Sequence, residues 1–392
     1  MTLEYPRSID ENDELLIKMV LEITGKFGED YWKKLEQEHL YPGDFVREFT
    51  KQGLFKIPIP EKYGGAGLGI RETSLILEEI NASGGNSQPF HGQYYMTWLL
   101  SKFGNEKQKN ALFPDLGNGK IRMQSMGLTE PDAGSNTTMI KTFATKSNDE
   151  YILNGQKIFT SRIEESDWIL IVARTKKYGD VSKKTDGITL FLLGPEEKEQ
   201  IEFTRIKTMF NSQTYQVFLR DVAVPAENII GNENDGFSYL MHVLNPERIL
   251  IASESIGDMR WFVEKSSEYA SSRMVFNRPI GQNQGIQFPI SDIYAKMLSV
   301  ASLRWDAATM YDNNGDIKKI GELANSAKYL ASEYAWQAAN VAMDTFGGYG
   351  TAVDTGIERK FRESRLYKVA PIANNLVLSY IGHNVLNMPK SY

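Results

Sequence analysis

The sequence predicts an α+β protein of three domains: an N-terminal helical domain, a middle antiparallel β-barrel and a C-terminal four-helix bundle. Three observations support this fold class. Helical periodicity dominates up to about residue 120, short β-prone runs separated by turn residues follow, and long helical patterns return from about residue 236. At about 150 residues per domain, 392 residues leave room for two or three domains. The predicted domains are therefore 1–120, 121–235 and 236–392.

The N-terminal domain is predicted to be helical because its apolar residues recur at helical spacing. In "ENDELLIKMVLEITGKF" the residues that fall largely on one wide face are Leu15, Ile17, Met19, Val20, Leu21 and Ile23. "RETSLILEEINA" and "EKQKNALFPDL" continue in the same style, whereas the glycines of "PEKYGGAGLG" predict a loop.

The middle domain shows strand signals instead. "YILNGQKIFTS" predicts a β-hairpin, because Asn154-Gly155 stands between two β-prone runs. "DWILIVAR", "GITLFLL" and "YQVFLRDVAV" are further strand-like runs with turn residues between them. Several short strands without a long helical pattern indicate a small antiparallel barrel or sandwich.

The C-terminal domain contains three long helical patterns. They are "NPERILIASESIGDMRWFVEKSSEYASSR", "IQFPISDIYAKMLSVASLRWDAATMYD" and "DIKKIGELANSAKYLASEYAWQAANVAMDTFGG". The last pattern stops at a double glycine, which is typical of a helix end. Helices of this length usually form an up-down bundle.

Composition and charge exclude several classes of function. The net charge of −6 argues against a nucleic-acid partner, which calls for a basic face. The absence of cysteine excludes disulfides, thiolate metal sites and cysteine nucleophiles, and the four histidines show no metal-ligand spacing. The acidic N-terminus does not resemble a signal peptide, and no apolar run approaches about 20 residues. We therefore expect a cytoplasmic protein without metal, membrane or nucleic-acid partners.

Two stretches near the predicted hairpin have the residue types of a cofactor site. "MGLTEPDAGSNTT" combines hydroxyl groups with small residues that let backbone N–H groups approach a ligand. In "GQKIFTS", Phe159 and Ser161 lie two residues apart, so on a regular strand they share a face. An aromatic ring beside a hydroxyl is able to cover a flat ligand ring and bond its edge. From spacing alone, a polar turn and a core phenylalanine explain the same residues more simply.

Two stretches in the predicted bundle also have candidate binding residues. "SRMVFNRPIGQNQGIQF" brings Arg273 and Arg278 around Phe276, and an arginine there is able to meet a diphosphate. In "DTFGGYG", Gly347 and Gly348 permit close approach of another chain or a cofactor. The alternatives are a solvated pair of charges flanking a helix and an ordinary C-cap.

Taken together, the four stretches resemble the FAD-dependent acyl-CoA dehydrogenase family. "LTEPDAGS" is similar to its T-E-P-G-A-G-S loop, and "NGQKIFTS" to its N-G-x-K-x-W-I-T strand. "RMVFNRPIGQNQGIQF" is similar to R-x-x-F-G-x-P-I…Q-x-I-Q, and "DTFGGYG" followed by "ERKFRESR" to Q-x-x-G-G-x-G followed by R-D-x-R. The resemblance covers residues from about 12 to 388. It implies the three-domain fold of the family and a homo-oligomer, usually a tetramer, in which a neighbouring subunit holds part of each FAD.

The resemblance also assigns binding residues by position. Those expected to contact the flavin of their own chain are Leu128, Thr129, Ser135, Phe159 and Ser161. Those expected to meet the diphosphate and adenosine half across an interface are Arg273, Phe276, Gln284, Asp344, Gly347 and Gly348. Asn375 is a further predicted cofactor contact, and Ser135 and Arg248 are predicted to contact substrate. The sequence departs from the family pattern at Phe159 for Trp, Ser161 for Thr, Asn277 for Gly and Asp344 for Gln.

The catalytic base implied by the family is absent from its usual place. Most members have this glutamate in a Y-E-G-T segment, which aligns at or next to Pro371 in the acid-free stretch "LYKVAPIANNLVL". A minority place it on a bundle helix before an arginine, and here Glu247-Arg248 stands in "LNPERILIA". The resemblance therefore implies Glu247 as the base. Glu254, two turns further on, is the rival.

Two further points about this region stay open. Glu247 follows Pro246, so it is alternatively a charge favoured by the first turn of a helix. Pro371 lacks the N–H that the family uses to hold the thioester carbonyl, so that either a neighbour such as Ile372 supplies it or the substrate sits differently.

Three functions follow from the resemblance. The first is α,β-dehydrogenation of an acyl-CoA thioester to the trans-2-enoyl-CoA, with electrons passed to an electron-transfer flavoprotein. The second is a related flavoprotein oxidase or monooxygenase-like enzyme, which the missing base suggests. The third is a non-catalytic flavin-binding scaffold, since fold does not determine function.

Overall fold

The computed structural model describes residues 3–390. The N-terminal part is helical, as predicted. Its helices are α1 (Glu11–Thr24), α2 (Glu29–Glu38), α3 (Gly43–Lys51), α4 (Ile70–Ala82), α5 (Gln88–Phe103) and α6 (Glu106–Gly117). The Asp10 carboxylate accepts bonds from the backbone N–H groups of Asn12 and Asp13 and so begins α1. Leu15 was assigned to the wrong face of this helix, because its side chain is exposed whereas Leu16 is buried.

The middle part forms a seven-stranded sheet. Its strands are β1 (Ser125–Gly127), β2 (Phe143–Ser147), β3 (Glu150–Ser161), β4 (Ile169–Arg174), β5 (Ile188–Leu193), β6 (Glu202–Ile206) and β7 (Thr214–Pro225), with α7 (Pro195–Lys198) between β5 and β6. The order is β1-β4-β2-β3-β7-β6, and β5 pairs with β4. Most pairs are antiparallel, as predicted, but β4 pairs in parallel with β1 and β2.

The predicted turn at Asn154-Gly155 is wrong. Both residues lie inside β3, and the β2–β3 connection is made by Asn148 and Asp149, where Asn148 has a φ of 53°. Gly155 marks a bulge, since the register with β7 shifts between Leu153 and Gly155. A Cβ at Gly155 would lie 2.5 Å from the Thr142 hydroxyl. Glycine is therefore required here for close approach and not for a turn.

The C-terminal part is helical, as predicted. Its elements are α8 (Gly236–Ser272), a hairpin of β8 (Met274–Val275) and β9 (Arg278–Pro279), α9 (Gln284–Asp312), α10 (Ile317–Phe346), α11 (Ile357–Ser364) and α12 (Asn374–Tyr380). Pro246 lies inside α8. Glu247 is therefore not in the first turn of a helix, so the interpretation that a helix N-terminus explains this glutamate is wrong.

The chain divides into two compact units. The helical unit consists of Met1–Glu38, Gly69–Ser87 and Asn245–Tyr392, and the sheet unit of His39–Leu68 and Gln88–Leu244. The core of the helical unit is formed largely by alanine and larger apolar side chains of α8, α9 and α10. The sheet unit has two clusters, one of which packs β-strand residues against α5 and α6. Within residues 3–390, no helix has the length and apolar character needed to cross a membrane. The three-domain division at 120 and 235 stays a prediction.

Candidate functional site

The predicted flavin loop in the sheet unit follows β1. Leu128 and Thr129 are half-buried, and Ser135 is exposed. The Thr129 carbonyl accepts a hydrogen bond from the Ile158 N–H at 2.9 Å. This bond brings the loop beside the part of β3 that contains Phe159, so three of the predicted flavin contacts lie on neighbouring segments.

A buried ion pair that the sequence reading missed supports this loop. The Glu130 carboxylate accepts bonds from Lys157 Nζ at 2.7 Å, from the Thr142 N–H at 2.9 Å and from the Lys141 N–H at 2.5 Å. Lys157 Nζ also donates to the Leu128 carbonyl at 3.1 Å. The start of the loop is thereby tied to β3 through Lys157, and to the end of the loop through the Lys141 and Thr142 N–H groups. The sequence contained an indication of this pair, because Glu130 belongs to the motif "LTEP" and Lys157 to the motif "NGQK".

The charges of this pair are set by burial and by each other. Burial lowers the pKa of Lys157 to about 8, although Glu130 opposes the shift. For Glu130, burial alone would raise the pKa, but the lysine charge and the hydrogen bonds hold it below its ordinary value. The carboxylate is therefore ionised at neutral pH.

Phe159 and Ser161 do not lie on a regular strand, contrary to the basis of the prediction. The register with β7 shifts between Lys157 and Thr160, and Phe159 has a φ of 58°. A bulge of this kind redirects side chains, so strict alternation does not hold. The Phe159 ring is 59% exposed and Ser161 is half-buried. An exposed aromatic ring at a bulge offers a flat apolar surface to a ligand ring.

The candidate base lies in the helical unit. Glu247 is 6% exposed, and the neighbouring Arg248 is also buried and donates to Asn245 Oδ1 at 3.1 Å. Burial lowers the pKa of Arg248, and the Glu247 charge opposes that shift. Glu254 is buried on the same helix, where its carbonyl accepts a bond from the Asn81 amide at 3.2 Å. Burial alone does not separate the two glutamates.

The acid-free segment 366–378 is attached to α10 through polar contacts. Lys328 Nζ donates to the Ile372 carbonyl and to Asn374 Oδ1, each at 2.6 Å. The Asn374 amide donates to Ser332 Oγ at 3.0 Å and to Glu333 Oε1 at 2.8 Å. Burial lowers the pKa of Lys328 to about 7, and Arg248 adds to the shift. Asn375, a predicted cofactor contact, is exposed.

The residues predicted to meet the adenosine half are all on the surface of the helical unit. Exposed among them are Arg273, Phe276, Gln284, Asp344, Gly347 and Gly348. The Arg273 guanidinium lies 5.9 Å from the ring centre of Tyr349, so the hairpin and the end of α10 are adjacent. Arg278 donates instead to Asn283 Oδ1 at 2.7 Å, directly before α9.

These surfaces fit FAD. A Cβ added at Gly134, Gly347 or Gly348 would meet no atom within 4 Å, so backbone at these positions faces open space. Phe276 is 95% exposed and Phe159 presents most of its ring. Open glycine backbone suits a diphosphate, and exposed aromatic rings suit flat ring systems.

Family models match almost the whole chain. The acyl-CoA dehydrogenase N-terminal domain matches residues 10–120, the middle domain 125–222 and the C-terminal domain 234–384. The chain belongs to the acyl-CoA dehydrogenase family. The resemblance inferred from the motifs is confirmed, and with it an oxidoreductase of the acyl-CoA dehydrogenase type whose cofactor is FAD.

Individual relatives are similar to this chain over nearly their full length. Acyl-CoA dehydrogenase fadE12 of Mycobacterium bovis is 32% identical over 392 residues, which covers 97% of this chain and 98% of the relative. The solved butyryl-CoA dehydrogenase from Megasphaera elsdenii has a TM-score of 0.90 at 26% identity and covers 97% of this chain and 100% of its own. A chain from the structure described as the electron transferring flavoprotein of Acidaminococcus fermentans has a TM-score of 0.91 at 26% identity, with the same coverage of both chains.

Proposed function

We propose that this acyl-CoA dehydrogenase family member oxidises an acyl-CoA thioester to the trans-2-enoyl-CoA, with Glu247 as the base that removes the α-proton. The observation that supports this proposal is the pair Glu247-Arg248, buried in the interior of α8. A glutamate in that position has no role as a helix-start charge. The segment that aligns with the usual base contains no acid.

The reaction needs an acidified α-proton and a carboxylate to receive it. In this proposal Glu247 takes the proton, and Arg248, the next residue of α8, is a substrate contact. Ser135 on the sheet unit is a separately predicted substrate contact. Burial removes the Glu247 carboxylate from bulk water, which is typical of a carboxylate that acts as a general base in a dry pocket. FAD, when bound, supplies the acceptor for the hydride that leaves the β-carbon.

The predicted binding residues divide the cofactor between two surfaces. The isoalloxazine ring is held by Leu128, Thr129, Ser135, Phe159 and Ser161 on the sheet unit. The diphosphate and adenosine half is held by a neighbouring subunit through its Arg273, Phe276, Gln284, Asp344, Gly347 and Gly348, with Asn375 as a further contact. The exposure of this second set supports its assignment to an interface with another copy.

The experiment that tests the activity is an anaerobic titration of the purified protein with acyl-CoA thioesters. Butyryl-CoA is the first probe, followed by longer and branched thioesters. We expect bleaching of the flavin absorbance by at least one thioester. A flavin that none of them bleaches would favour the non-catalytic scaffold.

The electron acceptor is proposed to be an electron-transfer flavoprotein. The similarity to the Acidaminococcus fermentans chain supports this partner. The acid-free segment at Pro371 favours the second candidate, an oxidase-like enzyme. Mixing the reduced protein with air-saturated buffer separates them, because slow reoxidation is expected of a dehydrogenase and fast reoxidation of an oxidase.

A further inference from the structure

A buried lysine on α10, Lys328, bonds to the segment that aligns with the usual base. The Lys328 side chain is fully buried and makes two short bonds, one to the Ile372 carbonyl and one to Asn374 Oδ1, each at 2.6 Å. Within residues 3–390, no carboxylate lies within salt-bridge distance of it. Its nearest charged neighbours are Arg248 on α8 and Glu333 on its own helix.

An ammonium group without a paired carboxylate is costly to bury. Lys157 in the sheet unit avoids part of that cost through Glu130, but Lys328 does not. Local conflicts of this kind are expected where a residue serves function rather than stability. A functional role of Lys328 would therefore depend on its two bonds, to the Ile372 carbonyl and to Asn374 Oδ1.

The geometry of a peptide group extends the effect of Lys328 to the next residue. The Ile372–Ala373 bond is trans, so the Ile372 carbonyl and the Ala373 N–H lie in one plane and point in opposite directions. Because the carbonyl points to Lys328, the Ala373 N–H points away from it. Within the described residues this N–H has no hydrogen-bond partner. It is therefore available to an external acceptor.

We propose that Lys328 is a positioning residue that orients the Ile372–Ala373 peptide so that the Ala373 N–H donates to the acyl thioester carbonyl. This inference rests on the proposed function. It answers the difficulty posed by Pro371, which has no N–H to offer. A donor aimed at that carbonyl acidifies the α-proton that Glu247 removes.

Two sets of substitutions test this proposal, one at Ala373 and one at Lys328. Ala373 has a φ of −62°, which proline adopts, so Ala373→Pro removes the N–H without changing this angle. We expect flavin reduction by butyryl-CoA, or by the best thioester of the screen, to slow by about 10²-fold with FAD content unchanged. Ala373→Ser changes the side chain at the same position but keeps the N–H, so its rate should fall much less than that of Ala373→Pro. Parent-like reduction by Ala373→Pro would overturn the donor role.

Hydrogen exchange tests Lys328 without relying on activity. The Leu376 and Val377 N–H groups bond to the Ala373 carbonyl at 2.9 and 3.3 Å and report on the order of this segment. In the FAD-loaded protein, Lys328→Met should accelerate their exchange by about tenfold or more. Ser332→Ala, which keeps the Lys328 bonds and loses contacts to Asn374 and to the Tyr329 carbonyl, should have a smaller effect. Unchanged exchange in Lys328→Met would overturn the positioning role.

The two failures are distinguishable. If no thioester reduces the parent protein, the proposed function fails and the donor role of Ala373 fails with it. The positioning role of Lys328 is then decided by the exchange measurement alone. If Lys328→Met does not fold, the Ala373→Pro and Ala373→Ser pair still decides whether this N–H serves the reaction.

Discussion

Two buried lysines, Lys157 and Lys328, differ in the groups to which their amino groups are bonded. Lys157 is paired with Glu130, and its pKa is lowered to about 8. Lys328 bonds only to neutral oxygens, and its pKa is lowered further, to about 7. In both cases burial is the main cause, and the carboxylate explains why Lys157 shifts less.

The pKa of Lys328 predicts a pH dependence of stability. Between its folded pKa of about 7 and its ordinary value of 10.5, the unfolded chain binds a proton that the folded chain lacks. The free energy of unfolding therefore increases as the pH rises between these two values, by at most about 1.4 kcal/mol per pH unit. We expect Lys328→Met to lack this gain. Urea unfolding of both proteins at pH 7 and pH 9.5 checks it, and parallel pH dependences would contradict the shifted pKa.

At the scale of elements, β3 organises the predicted flavin-binding surface of the sheet unit. Its bulge exposes Phe159, its Lys157 bonds the predicted flavin loop, and its Ile158 N–H bonds the Thr129 carbonyl. The loop contains little regular structure, so these contacts with β3, together with the bonds from the Lys141 and Thr142 N–H groups to Glu130, hold it in place.

The Glu130–Lys157 pair is expected to stabilise the loop and thereby FAD binding. Lys157→Met leaves a buried carboxylate without its cation, a change that typically costs about 3–5 kcal/mol. Glu130→Gln with Lys157→Met removes both charges and should recover part of that loss. Thermal unfolding and FAD content of the single and double variants measure this. Additive effects of the two changes would show that the pair is not coupled.

The prediction of helices and strands was correct where a single periodicity extends over many residues. It was wrong where contacts between distant residues determine the local structure. The long helical patterns correctly indicated α8, α9 and α10. Asn154-Gly155 looked like a hairpin turn, but the glycine is needed because Thr142 approaches its Cα. Pro246 looked like a helix start, yet α8 begins at Gly236. No local pattern reveals these tertiary contacts.

At the scale of the whole molecule, exposed apolar residues point to assembly. Phe276 at the tip of the β8–β9 hairpin is 95% exposed, and Met274 and Tyr349 are also exposed. Such residues are costly to leave in water and are typical of subunit interfaces. They support the predicted homo-oligomer.

We expect the protein to be a tetramer of 44.4 kDa chains in light scattering after size exclusion. Phe276→Asp should yield smaller species with reduced FAD content, because it places a charge at the proposed interface. Leu15→Asp, a change of another exposed apolar residue on α1, should leave both properties unchanged. A parent protein that is monomeric and retains FAD would refute the shared cofactor site.

The candidate site was predictable in part. Motif order indicated the family, which the family models confirm, whereas the residues assigned to FAD stay a prediction. Glu130, Lys157 and Lys328 were missed because their roles depend on burial and on partners distant in the chain. The choice between Glu247 and Glu254 also needs measurement, because both are buried on one helix.

The most direct test of the proposed mechanism is stopped-flow flavin reduction by an acyl-CoA thioester in Glu247→Gln and Glu254→Gln. Glutamine preserves size but cannot accept the α-proton. We predict that Glu247→Gln keeps its FAD and loses about 10²–10⁴-fold in rate, whereas Glu254→Gln reduces its flavin at close to the parent rate. A normal rate in Glu247→Gln, with or without loss of activity in Glu254→Gln, would contradict the assignment of Glu247 as the base.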